Sequence, residues 1–126
     1  MSKEVVYSAK APEPIGPYSQ AIKAGNTLFV SGQIPIDSST GKIDDGDITS
    51  QTNQVMKNLE AILTAAGMTF ANVVKCSIFL SDMNDFPKVN DAYGKYFQSE
   101  PPARETVQVS RLPKDVNVEI SCIAVK

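Results

Sequence analysis

Two charged residues toward the end of the chain, Arg104 in "PPARETVQVS" and Glu119 in "VNVEISCIAV", are of types that together can run a hydrolysis. Arginine stays protonated and presents a planar fork that grips a carboxylate through two hydrogen bonds. A glutamate beside a water can orient it and take its proton. The pair therefore suits a small carboxylic acid attacked by water. Both residues lie in runs that alternate as strands do. Arg104, Thr106, Gln108 and Ser110 share one side of the first run, and Ala103, Glu105, Val107 and Val109 the other. In the second run Val118, Ile120, Cys122 and Ala124 make an apolar side, while Asn117, Glu119 and Ser121 make a polar one. A hairpin turning at Arg111 to Lys114 would set Thr106 opposite Glu119 and Arg104 diagonal to it, with Cβ atoms roughly 7 Å apart. Loop length alone leaves this register open, and an Arg and a Glu on a polar sheet face most often form a solvated surface pair.

The rest of the composition narrows the chemistry. The 126 residues include no histidine. That removes Ser-His-Asp and Cys-His catalysis and the paired-histidine zinc motif. Acid–base work then falls to Glu, Asp, Lys, Tyr, Cys or water. The two cysteines, Cys76 and Cys122, sit in apolar runs and read as buried, reduced thiols rather than a disulfide. Two distant cysteines without histidine do not make a structural zinc site, so no metal is expected. A net charge of −2 and the lack of a Lys/Arg cluster argue against a nucleic-acid partner. Apolar runs are too short for a membrane span. The opening "MSKEVVYSAK" has no hydrophobic signal core, so the expected location is cytoplasmic.

The elements that must position Arg104 and Glu119 are legible as one domain over residues 1–126. No composition shift, linker or repeat divides the chain. Val5 to Tyr7 is a short strand, and "APEPIGPYSQ" a proline-stiffened loop. "AIKAGNTLFVSG" reads as strand, Gly25-Asn26 turn, strand. "PIDSSTGKIDDGD" reads as a polar loop. A helix is predicted over Asp47 to Ala66, with Ile48, Val55, Leu59, Ile62, Leu63 and Ala66 on one stripe. Asp47 or Thr49 is its N-cap, and Gly67 stands just past its end. "NVVKCSIFL" is a strand, and a second helix runs from Phe86 to Phe97 with Phe86, Val89, Tyr93 and Phe97 as its apolar stripe. Pro101-Pro102 precedes the two final strands. The order implies an α+β two-layer sandwich, a mixed sheet with two helices on one face. The other face stays open unless another chain covers it, which points to an oligomer.

Three stretches carry a family resemblance. "GPYSQAIKAGNTLFVSGQIPID" (Gly16 to Asp37), "FPKVNDAYGKYF" (Phe86 to Phe97) and "PARETVQVSRLPKDVNVEI" occur in the order, and over nearly the whole length, that the Rid family shows. This family is also called YjgF, the reactive intermediate deaminases, and the likeness is greatest to its RidA subgroup. The resemblance implies a chorismate-mutase-like fold and a homotrimer with sites in clefts between subunits. It implies hydrolysis of 2-iminobutanoate and 2-iminopropanoate, reactive imines and enamines released by pyridoxal-phosphate enzymes, to 2-keto acids and ammonia. A protonated imine is already electrophilic, so no metal or organic cofactor is implied. By the same resemblance Arg104 clamps the substrate carboxylate and Glu119 holds the attacking water. Tyr18, Ser31 and Asn90 line the cleft, and Gly32 and Thr106 contribute backbone groups. Each has a plainer reading on local pattern: Tyr18 as a packed loop aromatic, Ser31-Gly32 as a strand end, Asn90 as an exposed helix residue.

The sequence departs from the family pattern beside the arginine. Small residues, often Ser then Cys, are common there, and here Glu105 and Thr106 stand instead. Strand parity turns Glu105 away from Arg104 and leaves Thr106 on its side. Ser121 occupies a position that is often acidic. These departures keep a second reading open, a non-catalytic regulatory trimer that binds a small carboxylate. An RNA-cleaving activity fits the acidic balance poorly.

Overall fold

In a computed structural model, which describes residues 2–126, the chain runs β1 (Lys3–Val6), β2 (Ala21–Ala24), β3 (Thr27–Gln33), β4 (Ile36–Asp37), β5 (Lys42–Ile43), α1 (Ile48–Ala65), β6 (Val73–Leu80), α2 (Phe86–Gly94), β7 (Ala103–Gln108) and β8 (Val118–Val125). Six strands form one sheet in the order β1-β2-β3-β8-β6-β7. Only β6 and β7 are parallel; the other neighbours are antiparallel. The two helices cover one face, and the buried side chains form one cluster between the layers. This is the expected α+β sandwich.

Local chemistry explains the framework. Ala24 pairs with Thr27 across Gly25-Asn26, and Gly25 has φ +61°, the left-handed backbone that a tight hairpin needs. The Asp47 carboxylate caps α1 by accepting from the Ser50 amide at 2.9 Å. At the other end Gly67 has φ +74°. Its amide bonds the Thr64 carbonyl and that of Met68 the Leu63 carbonyl, each at 2.9 Å, the paired bonds of a Schellman ending. The buried stripe of α1 includes Val55, Met56, Leu59, Ile62 and Leu63, at the three-to-four-residue spacing of one helix face. Asn58 is buried with them because its amide donates to the Ile34 and Ile36 carbonyls at 3.1 and 3.0 Å, which satisfies its polar atoms.

Three expectations are corrected. The last two strands do not form a hairpin, because β6 lies between β7 and β8. A strand reached through a helix can lie parallel beside the strand before that helix, and α2 carries the chain from β6 to β7 in this way. The largely exposed β7 is left at the sheet edge. β8, buried at every second residue, takes the central place. The polar loop before α1 contains the small ribbon β4–β5, with Ile36 opposite Ile43; strands of two residues are too short to show a period. Finally, α2 ends at Gly94. Beyond it the amides of Tyr96 and Phe97 bond the carbonyls of Tyr93 and Gly94, three residues back, so the last turn tightens to 3₁₀ geometry.

Gln20 organises the proline-rich loop. Its side-chain oxygen accepts from the Ser8 amide at 2.7 Å, and its nitrogen donates to the carbonyls of Ser8 and Pro12 at 3.1 and 3.0 Å. A loop that buries backbone groups needs such partners.

Candidate functional site

Paired residues of neighbouring strands share a sheet face. Arg104 is the partner of Cys76 on β6, and Cys76 is wholly buried beneath the helices. Arg104 therefore turns toward α2. Glu119 is the partner of Phe79, which is also opposite Val107. These residues lie on the open face, away from the helices. The expected common face for Arg104 and Glu119 is thus absent within one chain. Once β6 separates their strands, the parity that placed them together no longer applies.

On the helix side, Arg104 is exposed but held. Its Nη1 donates to the Asn90 side-chain oxygen at 2.7 Å. Its guanidinium carbon lies 5.1 Å from the Tyr93 ring centroid and 5.5 Å from that of Phe86, within cation–π range. Among the described residues no carboxylate lies within ion-pair distance of it; the ion pairs are Lys75–Glu105 and Arg111–Asp115. One of the five guanidinium N–H donors is thereby used by a side chain and the charge is left free. A cavity of 430 Å³ opens beside it, lined also by Asn90, Tyr93, Phe97 and Pro102. Thr106 lies on the same side of β7, opposite Ile78, and its hydroxyl is buried without a hydrogen-bond partner.

On the other side, Glu119 is half-buried, and loss of solvent raises its carboxyl above the ordinary range. Gly32 makes room for it: a Cβ there would run into the Glu119 carboxylate. The need for glycine at this position is one of close approach. Gly32 and Tyr18 both line a cavity of 260 Å³, with Glu13, Gln33 and Lys114. Ser31 braces this region. Its hydroxyl donates to the Ser19 carbonyl at 2.6 Å and its amide to the Gln20 carbonyl at 2.9 Å. The predicted residues thus gather in two groups: Arg104, Asn90 and Thr106 in one, Glu119, Gly32, Tyr18 and Ser31 in the other.

Several contributors were not legible as such. Phe86 and Tyr93 read only as a core stripe, yet both present rings to Arg104. Lys114 and Asp115 each have φ +57°, uncommon for non-glycine residues. Arg111 holds this turn with two hydrogen bonds to Asp115, at 2.6 and 3.1 Å. Glu105 turns to the open face as parity required and finds partners there. Lys75 pairs with it at 2.9 Å, the Ser77 hydroxyl donates to it, and both hold its carboxyl below the ordinary range. Cys76 and Cys122 are free thiols, directly opposite one another and buried. Burial pushes both up, so they stay protonated. No group of three or more His, Cys, Asp or Glu side chains able to hold a metal occurs among the described residues. None of their helices is long and apolar enough to cross a membrane.

Comparison with known proteins places the chain. The family model described as Endoribonuclease L-PSP matches residues 8–126. A RutC family protein of Pyrococcus horikoshii is 59% identical over 124 residues, covering 98% of each chain. The 2-iminobutanoate/2-iminopropanoate deaminase of Mus musculus is 47% identical over 124 residues, covering 98% of this chain and 92% of the mouse protein. Among solved structures, YyfA of the Rid family from Yersinia pestis superposes with a TM-score of 0.97 at 48% identity, covering 99% and 100% of the two chains. E. coli TdcF, crystallised with bound serine, gives 0.94 at 40% identity, covering 98% of each chain. With a family model across nearly its whole length and relatives close to half identical throughout, the chain belongs to the Rid, or RutC, family.

Proposed function

We propose that this protein hydrolyses small 2-imino acids, of the 2-iminobutanoate and 2-iminopropanoate class, to 2-keto acids and ammonia. The observation that carries this reading is the unpaired guanidinium of Arg104, stacked on two rings and facing a cavity. Such a cation is prepared for an anion of substrate size. The deaminase name of a relative at 47% identity and the serine bound by TdcF agree with a small carboxylate as that anion.

In this mechanism the two groups of residues come from different subunits. The open sheet face carries exposed Val5, Phe29 and Val107, an apolar area of the sort that a subunit contact covers. A homotrimer brings the Arg104 group of one copy against the Glu119 group of the next. Arg104 then holds the substrate carboxylate and fixes its orientation. Glu119, its carboxyl raised above the ordinary range by burial, takes a proton from a water as its oxygen bonds to the iminium carbon. Glu119 returns that proton to the amino nitrogen, and the carbinolamine loses ammonia as the C–N bond breaks; its hydroxyl becomes the carbonyl of the keto acid and gives up its proton to water, which leaves Glu119 ionised again. An enamine is protonated at carbon first and joins the same path. Tyr18 and Ser31 shape the water side, and Asn90 and Thr106 the carboxylate side.

The test generates imines with an amino-acid oxidase and asks whether the protein outcompetes semicarbazide trapping, with Arg104→Ala run beside it. Accelerated hydrolysis by the wild type alone is expected. Equal turnover by the variant overturns the assignment. Carboxylate binding without turnover points to the second reading, a regulatory binding trimer, which the serine bound to TdcF also favours.

A further inference from the structure

Arg104 stands on a largely exposed edge strand, where a long side chain ordinarily samples many rotamers. Here it meets two ring faces and a carbonyl oxygen, all from α2. Phe86, Asn90 and Tyr93 are spaced four and three residues apart, so they project from one side of that helix. The Tyr93 ring is itself fixed from behind. It packs on Phe97 with centroids 4.8 Å apart, and Phe97 packs edge-on against Phe70 at 5.3 Å. Phe70 also meets Tyr96 at 5.3 Å, and the Tyr96 hydroxyl donates to Asn53 of α1 at 3.1 Å. A row of aromatic contacts thus runs from the helix-facing core to the guanidinium.

The Tyr93 hydroxyl has another character. It is buried against the Cys76 thiol, and it meets no hydrogen-bond partner of ordinary geometry. A buried hydroxyl without a partner costs stability rather than adding to it. The ring face, and not the polar tip, is what the rest of the structure uses.

We propose that Tyr93 and Phe86 are positioning residues: their ring faces hold Arg104 in the orientation that receives a carboxylate, and Tyr93 does so without its hydroxyl. This rests on the reading of Arg104 as the carboxylate clamp. The rings touch the arginine through cation–π contact and spare the bound acid the cost of ordering it.

Three variants test this by two readouts. Tyr93→Phe keeps the ring, Tyr93→Leu removes it, and Phe86→Leu removes the second ring at a half-buried position. The first readout is imine turnover, resolved into KM and kcat. The second is the heteronuclear NOE of the Arg104 Nε in ¹⁵N-labelled protein, which reports side-chain order with no substrate present. Tyr93→Phe is expected to match wild type in both. Each leucine variant is expected to raise KM about tenfold, to leave kcat within about twofold, and to lower the Nε NOE. A rigid Arg104 with wild-type KM in the leucine variants overturns the proposal. So does damage by Tyr93→Phe equal to that by Tyr93→Leu, which would give the role to the hydroxyl. If Tyr93→Leu fails to fold, Phe86→Leu decides. Should the wild type hydrolyse no imine, the functional reading falls, while the NOE comparison still decides whether the rings order Arg104.

Discussion

The Arg104 and Glu119 regions solve opposite electrostatic problems. Arg104 is exposed, stacked on aromatic faces and bonded to a neutral oxygen, surroundings that leave its charge available to an anion. Glu119 is half-buried against a glycine, surroundings that make its charge costly. A site that bound a carboxylate and moved a proton with one residue would need both conditions at once. Here they are divided between the two faces of a sheet. The difference bears on the proposed division of tasks: the free cation suits recognition of an anion, and the carboxyl raised by burial suits proton transfer.

Substitutions that collapse this division should have effects of graded size. On the proposed reading Arg104→Ala removes the two hydrogen bonds that would grip the substrate carboxylate, and it is expected to lower kcat/KM for imine hydrolysis about a thousandfold while leaving the size-exclusion profile that of the wild type. Glu119→Gln removes the proposed proton acceptor and is expected to cost about a hundredfold or more. Coexpressing these two inactive variants sharpens the comparison. If the tasks lie in different subunits, mixed assemblies regain a fraction of wild-type turnover. No recovery would place both tasks within one subunit. Gly32→Ala pushes the Glu119 carboxylate aside; about a tenfold loss of kcat is expected, with about 1–3 kcal/mol of destabilisation in urea unfolding.

The pH profile bears on the same contrast. Burial raises the Glu119 carboxyl, so the acid limb of kcat/KM is expected above the ordinary glutamate range and should move toward it when the site is made wetter. The stability effect has the matching sign. Over the interval between the unfolded and folded values the native state holds more protons, so ionising Glu119 costs stability as pH rises through its folded value. Below the unfolded value that cost is absent. Glu119→Gln should flatten this part of the stability profile in pH-dependent thermal melts. The smallest effect is expected at Thr106→Val. The lost hydroxyl has no partner, so stability should stay within about 1 kcal/mol of wild type.

Much of this frame was legible in the sequence, because it is written in periods and caps. The α1 stripe, Asp47 at its start, Gly67 at its end and the Gly25-Asn26 turn all appear where local chemistry predicts them. Strand parity also gave Glu105 and Arg104 their opposite directions. Strand order was not legible. Nothing local in "RLPKD" says that the chain passes over β6 and sets β8 between β3 and β6; that depends on which apolar strand fills the centre. The error about Arg104 and Glu119 came from this step, with correct parity and the wrong neighbour. Phe86 and Tyr93 were hidden for another reason. Their spacing marks a buried helix face whether or not one edge of it carries a cation, so their second use becomes visible only once β7 is set beside α2. Lys114 and Asp115 were hidden because lysine carries no signal for a left-handed backbone, and aspartate carries only a weak one that most aspartates do not follow.

The open sheet face has a consequence in terms of mass action. If each working site takes one half from either side of a subunit contact, activity per chain is not a constant. It falls on dilution below the dissociation constant of the assembly, with every chain still folded, and returns on concentration. A cell that makes half as much of such a protein, near that threshold, would lose more than half of its capacity.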